Sequence, residues 1–287
     1  MTRAEALANA SERLARAGIA PADARAEAAL LLRFTASVSR EELFLRPAAL
    51  LSLTDAGRYE AAITRRERRE PLAYILGTRE FYGLTFAVTP DVLVPRPETE
   101  GVVDAVLGTP RPARRPFRVL DLCAGSGAIA VAVAVHAPTV QVVAADISEA
   151  ALAIARANAA RHGIADRVTF LVGDLFAPVP PGSRFDCVAA NPPYIAPSEI
   201  ETLEPEVRDY EPRIALGVHA DALSFYRRIA AESGAFLAPD GRVVVEVGQR
   251  QADDVCELFV QNGFAGVEVF PDLSGILRVV VAHRNGA

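Results

Sequence analysis

The sequence predicts an α/β fold: a seven-stranded, mostly parallel sheet with helices on both faces, preceded by a small N-terminal helical bundle and a β-hairpin linker. Three observations carry that expectation. From residue 117 onward, short apolar runs alternate with stretches of helical length, the pattern of a parallel sheet with crossover helices. Before about residue 70, Ala, Leu, Arg and Glu dominate, with apolar positions at helical spacing through 24–32. The last two apolar runs, 267–270 and 277–282, are joined only by Pro271-Asp272-Leu273-Ser274-Gly275. That is too short for a crossover helix, so the closing pair must be antiparallel.

Taken in order, the helical part is punctuated by Pro21 and Pro47, and Thr54-Asp55 reads as a helix start. The run Arg65-Arg66-Glu67-Arg68-Arg69-Glu70 reads as a solvated helix face. After Pro71 the texture changes. Residues 81–88 and 92–94 suggest the two strands of a hairpin around Thr89-Pro90-Asp91. The segment Pro95-Arg96-Pro97-Glu98-Thr99-Glu100 must begin extended, and Thr99 is placed to cap a helix running through Val106. Residues 111–116 form a Pro- and Arg-rich loop with no assigned function. Strands then follow at 117–122, 140–145, 168–172, 185–190, 242–247, 267–270 and 277–282. Helices are expected at 127–136, 149–162, 222–237 and 252–261, with Ser148 as an N-cap and Gly163 as a stop. The implied domains are 1–75, 76–95 (the linker) and 96–287.

Composition excludes several functions. The chain has 287 residues, a net charge of −6 and no lysine at all, its thirty basic residues being Arg. Schiff-base chemistry and a Walker-A lysine are thereby removed. The acidic balance argues against a large duplex footprint. Cys123, Cys187 and Cys256 are scattered, as are the four histidines, so neither a disulfide framework nor a metal site is expected, in keeping with a reducing cytosol. The longest apolar run, 128–135, is too short to span a bilayer. The N-terminus is Arg- and Ala-rich, but Glu5 and Glu12 argue against a transit peptide.

Chemistry concentrates at the strand ends. Asp121-Leu122-Cys123-Ala124-Gly125-Ser126-Gly127 joins the first sheet strand to its helix, where glycines admit a ligand to the backbone and the helix start offers free N–H groups. Asp146 ends the next strand, a position from which a carboxylate accepts from ribose hydroxyls. Asp174 ends the third, with Leu175 and Phe176 placed for an adenine edge and face. Together these predict a nucleoside-containing cofactor. Gly125-x-Gly127-x-x-Ala130 alone also fits a dinucleotide fingerprint. Seven strands with a closing antiparallel pair resemble the Rossmann-like S-adenosylmethionine methyltransferase fold instead. Asp121 would oppose a pyrophosphate but suits the ammonium end of S-adenosylmethionine.

Asn191-Pro192-Pro193-Tyr194 follows the apolar run 185–190. In isolation it reads as a rigid turn. At the carboxyl end of a buried strand, however, Asn supplies an acceptor, the prolines remove two donors, and Tyr adds an aromatic face. That combination suits a planar group bearing NH2. The four residues resemble the (N/D/S)-P-P-(Y/F) motif of amino-group methyltransferases.

Further stretches narrow the resemblance. Arg69-Glu70-Pro71-Leu72-Ala73-Tyr74-Ile75-Leu76-Gly77, Glu80-Phe81-Tyr82-Gly83-Leu84 and Val92-Leu93-Val94-Pro95-Arg96-Pro97-Glu98-Thr99-Glu100 resemble the release-factor glutamine methyltransferases, the PrmC/HemK family. Glu204-Pro205-Glu206-Val207, Tyr210-Glu211-Pro212 and Pro271-Asp272-Leu273-Ser274-Gly275 agree. Cys123 stands where many relatives have Gly, Leu175 where some have an aromatic, and Gly101 interrupts a usually apolar stretch.

The resemblance implies methyl transfer from S-adenosylmethionine to the side-chain amide nitrogen of the Gly-Gly-Gln glutamine in release factors. It implies Asn191, Pro192 and Tyr194 as catalytic groups. The substrate site comprises Asn191, Pro192, Pro193 and Tyr194. The cofactor site comprises Asp121, Cys123, Ala124, Gly125, Ser126, Gly127, Asp146, Asp174, Leu175 and Asn191. The helical domain would dock the release factor. A cytoplasmic monomer without a stable nucleic-acid or membrane complex is expected. The alternatives are a nucleic-acid adenine or cytosine N-methyltransferase, a non-catalytic S-adenosylmethionine-binding module and an NAD-dependent oxidoreductase.

Overall fold

Runs of Val, Ile and Ala with no room for a polar face become strands buried on both sides, and here they build one large sheet. The computed structural model describes residues 1–109, 115–217 and 221–284, so residues 111–114 of the Arg-rich loop lie outside the description. A hairpin pairs β1 (Thr78–Phe81) with β2 (Leu84–Ala87). The sheet contains β3 (Arg118–Leu122), β4 (Gln141–Asp146), β5 (Val168–Val172), β6 (Phe185–Ala190), β7 (Leu237–Glu246), β8 (Phe264–Pro271) and β9 (Leu277–Arg284). Their spatial order is β5-β4-β3-β6-β7-β9-β8.

The chain starts at β3, builds outward through β4 and β5, then returns to the other side of β3 with β6 and β7. This reversal opens a crevice at the carboxyl ends of the central strands. Strands β3 to β7 are parallel, and β9 inserts between β7 and β8, antiparallel to both. One face carries helices Glu100–Leu107, Ala128–His136 and Glu149–Arg161, packed over Val119, Val142 and Val244. The other carries Ser224–Ser233 and Ala252–Gln261, over Leu120, Val188 and Val245. The residues alternate between faces as a pleated strand requires.

Several expectations are corrected. The hairpin turns at Tyr82-Gly83, both at positive φ (51° and 70°), the geometry a two-residue hairpin needs. Residues 92–94 are therefore not its second strand, although Thr89 and Asp91 do form a turn. The helix expected through 237 ends at Ser233, and β7 begins at Leu237, five residues before the expected start. Thr99 makes no capping hydrogen bond, because its side chain is buried and used elsewhere.

The described residues divide into two units: Met1–Thr78 with Glu204–Tyr210, and Arg79–Leu203 with Glu211–Ala287. In the first, helices Arg3–Arg16, Pro21–Ala36 and Leu53–Glu67 bury Leu14, Leu31, Leu32 and Ile63. Thr2 with Glu5 and Ser39 with Glu42 form capping boxes that satisfy otherwise orphan N–H groups. Ser52, not Thr54, caps the third of these helices. The charge run is not simply solvated. Arg66 is 5% exposed and pairs with Glu27 at 2.6 Å and Glu206 at 2.8 Å. Arg69 reaches Glu206 at 2.6 Å and Glu204 at 3.0 Å. The segment Glu204–Tyr210, expected to belong with 96–287, thus packs within the helical unit.

Candidate active site

The crevice holds a cavity of about 360 Å³ within the second unit. Its floor is the loop after β3. Cys123, Gly125 and Gly127 all have positive φ, and a Cβ on Gly127 would lie 3.0 Å from Ala155 Cβ. Gly127 is therefore required where the loop crosses helix Glu149–Arg161. Gly125 faces open space, and its N–H donates to Asp146 Oδ2 at 2.8 Å. The other Asp146 oxygen accepts from Ser148 N at 2.9 Å. Burial pushes the Asp146 carboxyl upward, while these backbone donors hold it down. Each oxygen keeps a lone pair beyond its protein donor.

Cys123, Gly125, Asp146, Asp174, Leu175, Asn191 and Pro193 all line the cavity. Asp174 also pairs with Arg228 at 2.8 Å. Ala124, Ser126 and Gly127 lie beneath the floor, buried rather than lining it. Asp121 is likewise not a wall residue. It is fully buried, and its Oδ2 accepts from Ala130 N at 3.0 Å in the first turn of the following helix. Its Oδ1 has no hydrogen-bond partner among the described residues. Burial raises this carboxyl to about 8. Phe176 also departs from expectation: its ring stacks on Phe236 at 4.9 Å inside the core, so its face is taken.

Sequence reasoning missed other walls. Val92 and Leu93, read as a strand, line the cavity, as do Ile147, Pro212, Ile214 and Phe225. Ile147, directly after the strand-end carboxylate Asp146, is 55% exposed on the cavity wall. A second missed group, Asn158, is fully buried. It donates to Ser126 O at 2.9 Å and to Ala87 O at 3.1 Å, and accepts from Ala87 N at 2.7 Å. It ties the glycine loop to the β1–β2 hairpin.

At the other wall, Asn191 Nδ2 donates to Thr99 Oγ1 at 3.1 Å. Thr99 donates in turn to Glu246 Oε2 at 2.5 Å, and Tyr194 OH donates to Glu246 Oε1 at 3.1 Å. Gln251 Nε2 donates to Tyr194 O at 3.0 Å. Pro192 is buried, and neither it nor Tyr194 lines the cavity, although both adjoin residues that do.

The chemistry of this donor set fits a nucleoside cofactor: a glycine-floored apolar cavity, two carboxylates on its walls, and an amide opposite them. Among the described residues, no group of three or more His, Cys, Asp or Glu side chains is arranged to hold a metal ion, and no helix is long and apolar enough to cross a membrane.

Comparison with known proteins gives the family. A model described as the PrmC N-terminal domain matches residues 5–77, and one described as the methyltransferase small domain matches residues 107–204. A protein of Cereibacter sphaeroides named release factor glutamine methyltransferase is 43% identical over 287 residues, covering 100% of both chains. One of the same name from Geobacter sulfurreducens is 43% identical over 258 residues, covering 90% of this chain and 89% of its own. Among solved structures, a methyltransferase from Pyrococcus furiosus shares the fold, with a TM-score of 0.53 at 17% identity, over 77% of this chain and 98% of its own.

Proposed function

This chain belongs to the release factor glutamine methyltransferases, and from that membership we propose that it methylates the side-chain amide nitrogen of the Gly-Gly-Gln glutamine in peptide chain release factors. S-adenosylmethionine, when bound, supplies an electrophilic methyl group. The observation that carries the reading is that Asn191 lines the same cavity as Gly125 and Asp146. An amide acceptor and a cofactor-binding floor thereby face one space.

An amide nitrogen is a poor nucleophile, because its lone pair is delocalised. The Asn191 Oδ1 and the Pro192 carbonyl accept its two hydrogens, aim it, and favour the more positive nitrogen of the transition state. Tyr194 packs against the glutamine amide, and Pro193 helps to wall the substrate site. Asp146 accepts from ribose hydroxyls, and Gly125 lets the ligand approach the main chain. Asp174 and Leu175 hold the adenine, while Cys123 lines its pocket. Ala124, Ser126 and Gly127 shape the loop from beneath. No strong base is needed, since the proton can pass to water after transfer.

In this reading the helical domain docks the release factor, and the enzyme works in the cytoplasm as a monomer. A net charge of −6 supports the absence of a stable nucleic-acid complex. The test is radiolabel transfer from S-adenosylmethionine to a purified release factor, with DNA and RNA as parallel acceptors and mass spectrometry locating the methyl group. A label on the Gly-Gly-Gln glutamine is expected. A label on a nucleobase alone would refute the proposal.

A further inference from the structure

We propose that Glu246, acting through Thr99, fixes which end of the Asn191 side-chain amide faces the methyl acceptor. The inference rests on reading Asn191 as the acceptor of a substrate hydrogen bond. An Asn amide has a donor end and an acceptor end of nearly the same shape. If it turned over, it would present NH2 to the NH2 of the substrate, and the site would repel what it should hold. Something must therefore set its orientation.

The surrounding residues do so through a one-way chain of polarity. Ala190 of β6 pairs with Val245 of β7, so Asn191 and Glu246 are the next residues along neighbouring strands. Glu246 is 1% exposed and Thr99 is 4% exposed. An ionised carboxylate can only accept, so it commits the Thr99 hydroxyl hydrogen at 2.5 Å. The Thr99 oxygen is then left to accept, and the Asn191 atom that meets it at 3.1 Å must be Nδ2. Asn191 Oδ1 is thereby turned away from Thr99 and kept for the acceptor.

The second Glu246 oxygen takes the Tyr194 hydroxyl at 3.1 Å, while the Glu246 main-chain carbonyl is held by Tyr226 OH at 2.8 Å. One buried carboxylate thus anchors both ends of Asn191-Pro192-Pro193-Tyr194. Burial pushes its carboxyl upward, and the two hydroxyl donors hold it down toward the charged form that the relay uses. Thr99 and Glu246 touch no reacting atom in this scheme; they are positioning residues.

The experiment compares Thr99→Val, Thr99→Ser and Glu246→Gln in single-turnover methyl transfer to a release factor, with calorimetry of S-adenosylmethionine binding. Thr99→Val leaves the Asn191 donor unpaired and free to turn, so kcat should fall about tenfold, while cofactor Kd and release-factor KM stay within about twofold. Thr99→Ser keeps the hydroxyl and should restore most of the rate. Glu246→Gln allows the chain of polarity to reverse and should also lower kcat. A second readout needs no variant to turn over. The Asn191 side-chain amide protons, assigned by their loss in Asn191→Asp, should exchange slowly in the unaltered protein. The proposal is overturned if Thr99→Val and Glu246→Gln keep wild-type kcat, or if those protons exchange like exposed amides. Asn191→Ala separates the two levels. If it is impaired while the Thr99 and Glu246 variants are not, only the orientation device fails. If it turns over normally, the reading of Asn191 fails as well.

Discussion

The two walls of the cavity are held by different means. On the wall proposed for the cofactor, main-chain N–H groups grip Asp146: Ser148 lies two residues after it and Gly125 twenty-one residues before it, on the loop of the neighbouring strand. On the acceptor side, side chains grip side chains, and Thr99 and Glu246 are 147 residues apart. The first wall is built from the strand-to-helix turns of β3 and β4, two strands adjacent in both sequence and sheet. The second exists only after the sheet has assembled and brought β6 beside β7. A main-chain scaffold tolerates side-chain change around it, whereas a relay of side chains fails when one link is replaced.

The sharpest way to break this contrast is Asn191→Ala. It should lower kcat by roughly 10²–10³, as loss of one preorganised transition-state hydrogen bond does, and change cofactor affinity much less. Single-turnover transfer and calorimetry measure the two separately. A comparable loss of cofactor affinity would merge the two walls into one.

Asp146→Ala should have the opposite profile. It removes the proposed ribose acceptors and releases Gly125 N and Ser148 N, so S-adenosylmethionine affinity should drop by about tenfold or more. Circular dichroism should report a folded protein. Unchanged affinity in that folded variant would remove Asp146 from the binding site.

The smallest effect belongs to Asp121, buried beneath the loop after β3. Its carboxyl is raised from 3.8 to about 8 by burial. Between those values the folded protein keeps a proton that the unfolded chain has lost, so this group's stabilising contribution declines as pH rises and levels off above about 8. Asp121→Asn carries no such proton. In cofactor-free protein its melting temperature should therefore gain on the parent by a few degrees between about pH 5 and pH 8. A gap that stays constant with pH would mean that Asp121 is already ionised at the acid end.

The same contrast explains what the sequence revealed. Alternating apolar runs fixed the strand count, and the short Pro271–Gly275 connection fixed the antiparallel closure, because each follows from local spacing. The glycine loop and Asp146 were legible for the same reason. Thr99 does stand at the N-cap position, but its hydroxyl serves Glu246, which is remote in sequence, instead of the helix. The available signal was a lone carboxylate inside the apolar run 243–247, which cannot be buried without donors. Arg66 carried a similar signal in reverse: its neighbours in sequence are solvated, and only the folded bundle turns it inward against Glu27 and Glu206. The hairpin was misplaced because Thr89-Pro90-Asp91 is a stronger turn in composition than Tyr82-Gly83, yet it closes a loop that forms part of the cavity wall.

The return of Glu204–Tyr210 to the helical unit makes the polypeptide cross between the two units three times, at Thr78–Arg79, Leu203–Glu204 and Tyr210–Glu211. Cutting the chain after Thr78 would therefore not release the helical piece as an independent body. The larger fragment would still carry Glu204 and Glu206, the counter-ions of Arg69 and Arg66, and the hydroxyl of Tyr210 that bonds the Arg68 carbonyl. The two products of such a nick are complementary fragments, with a stitch of seven residues that the break leaves intact.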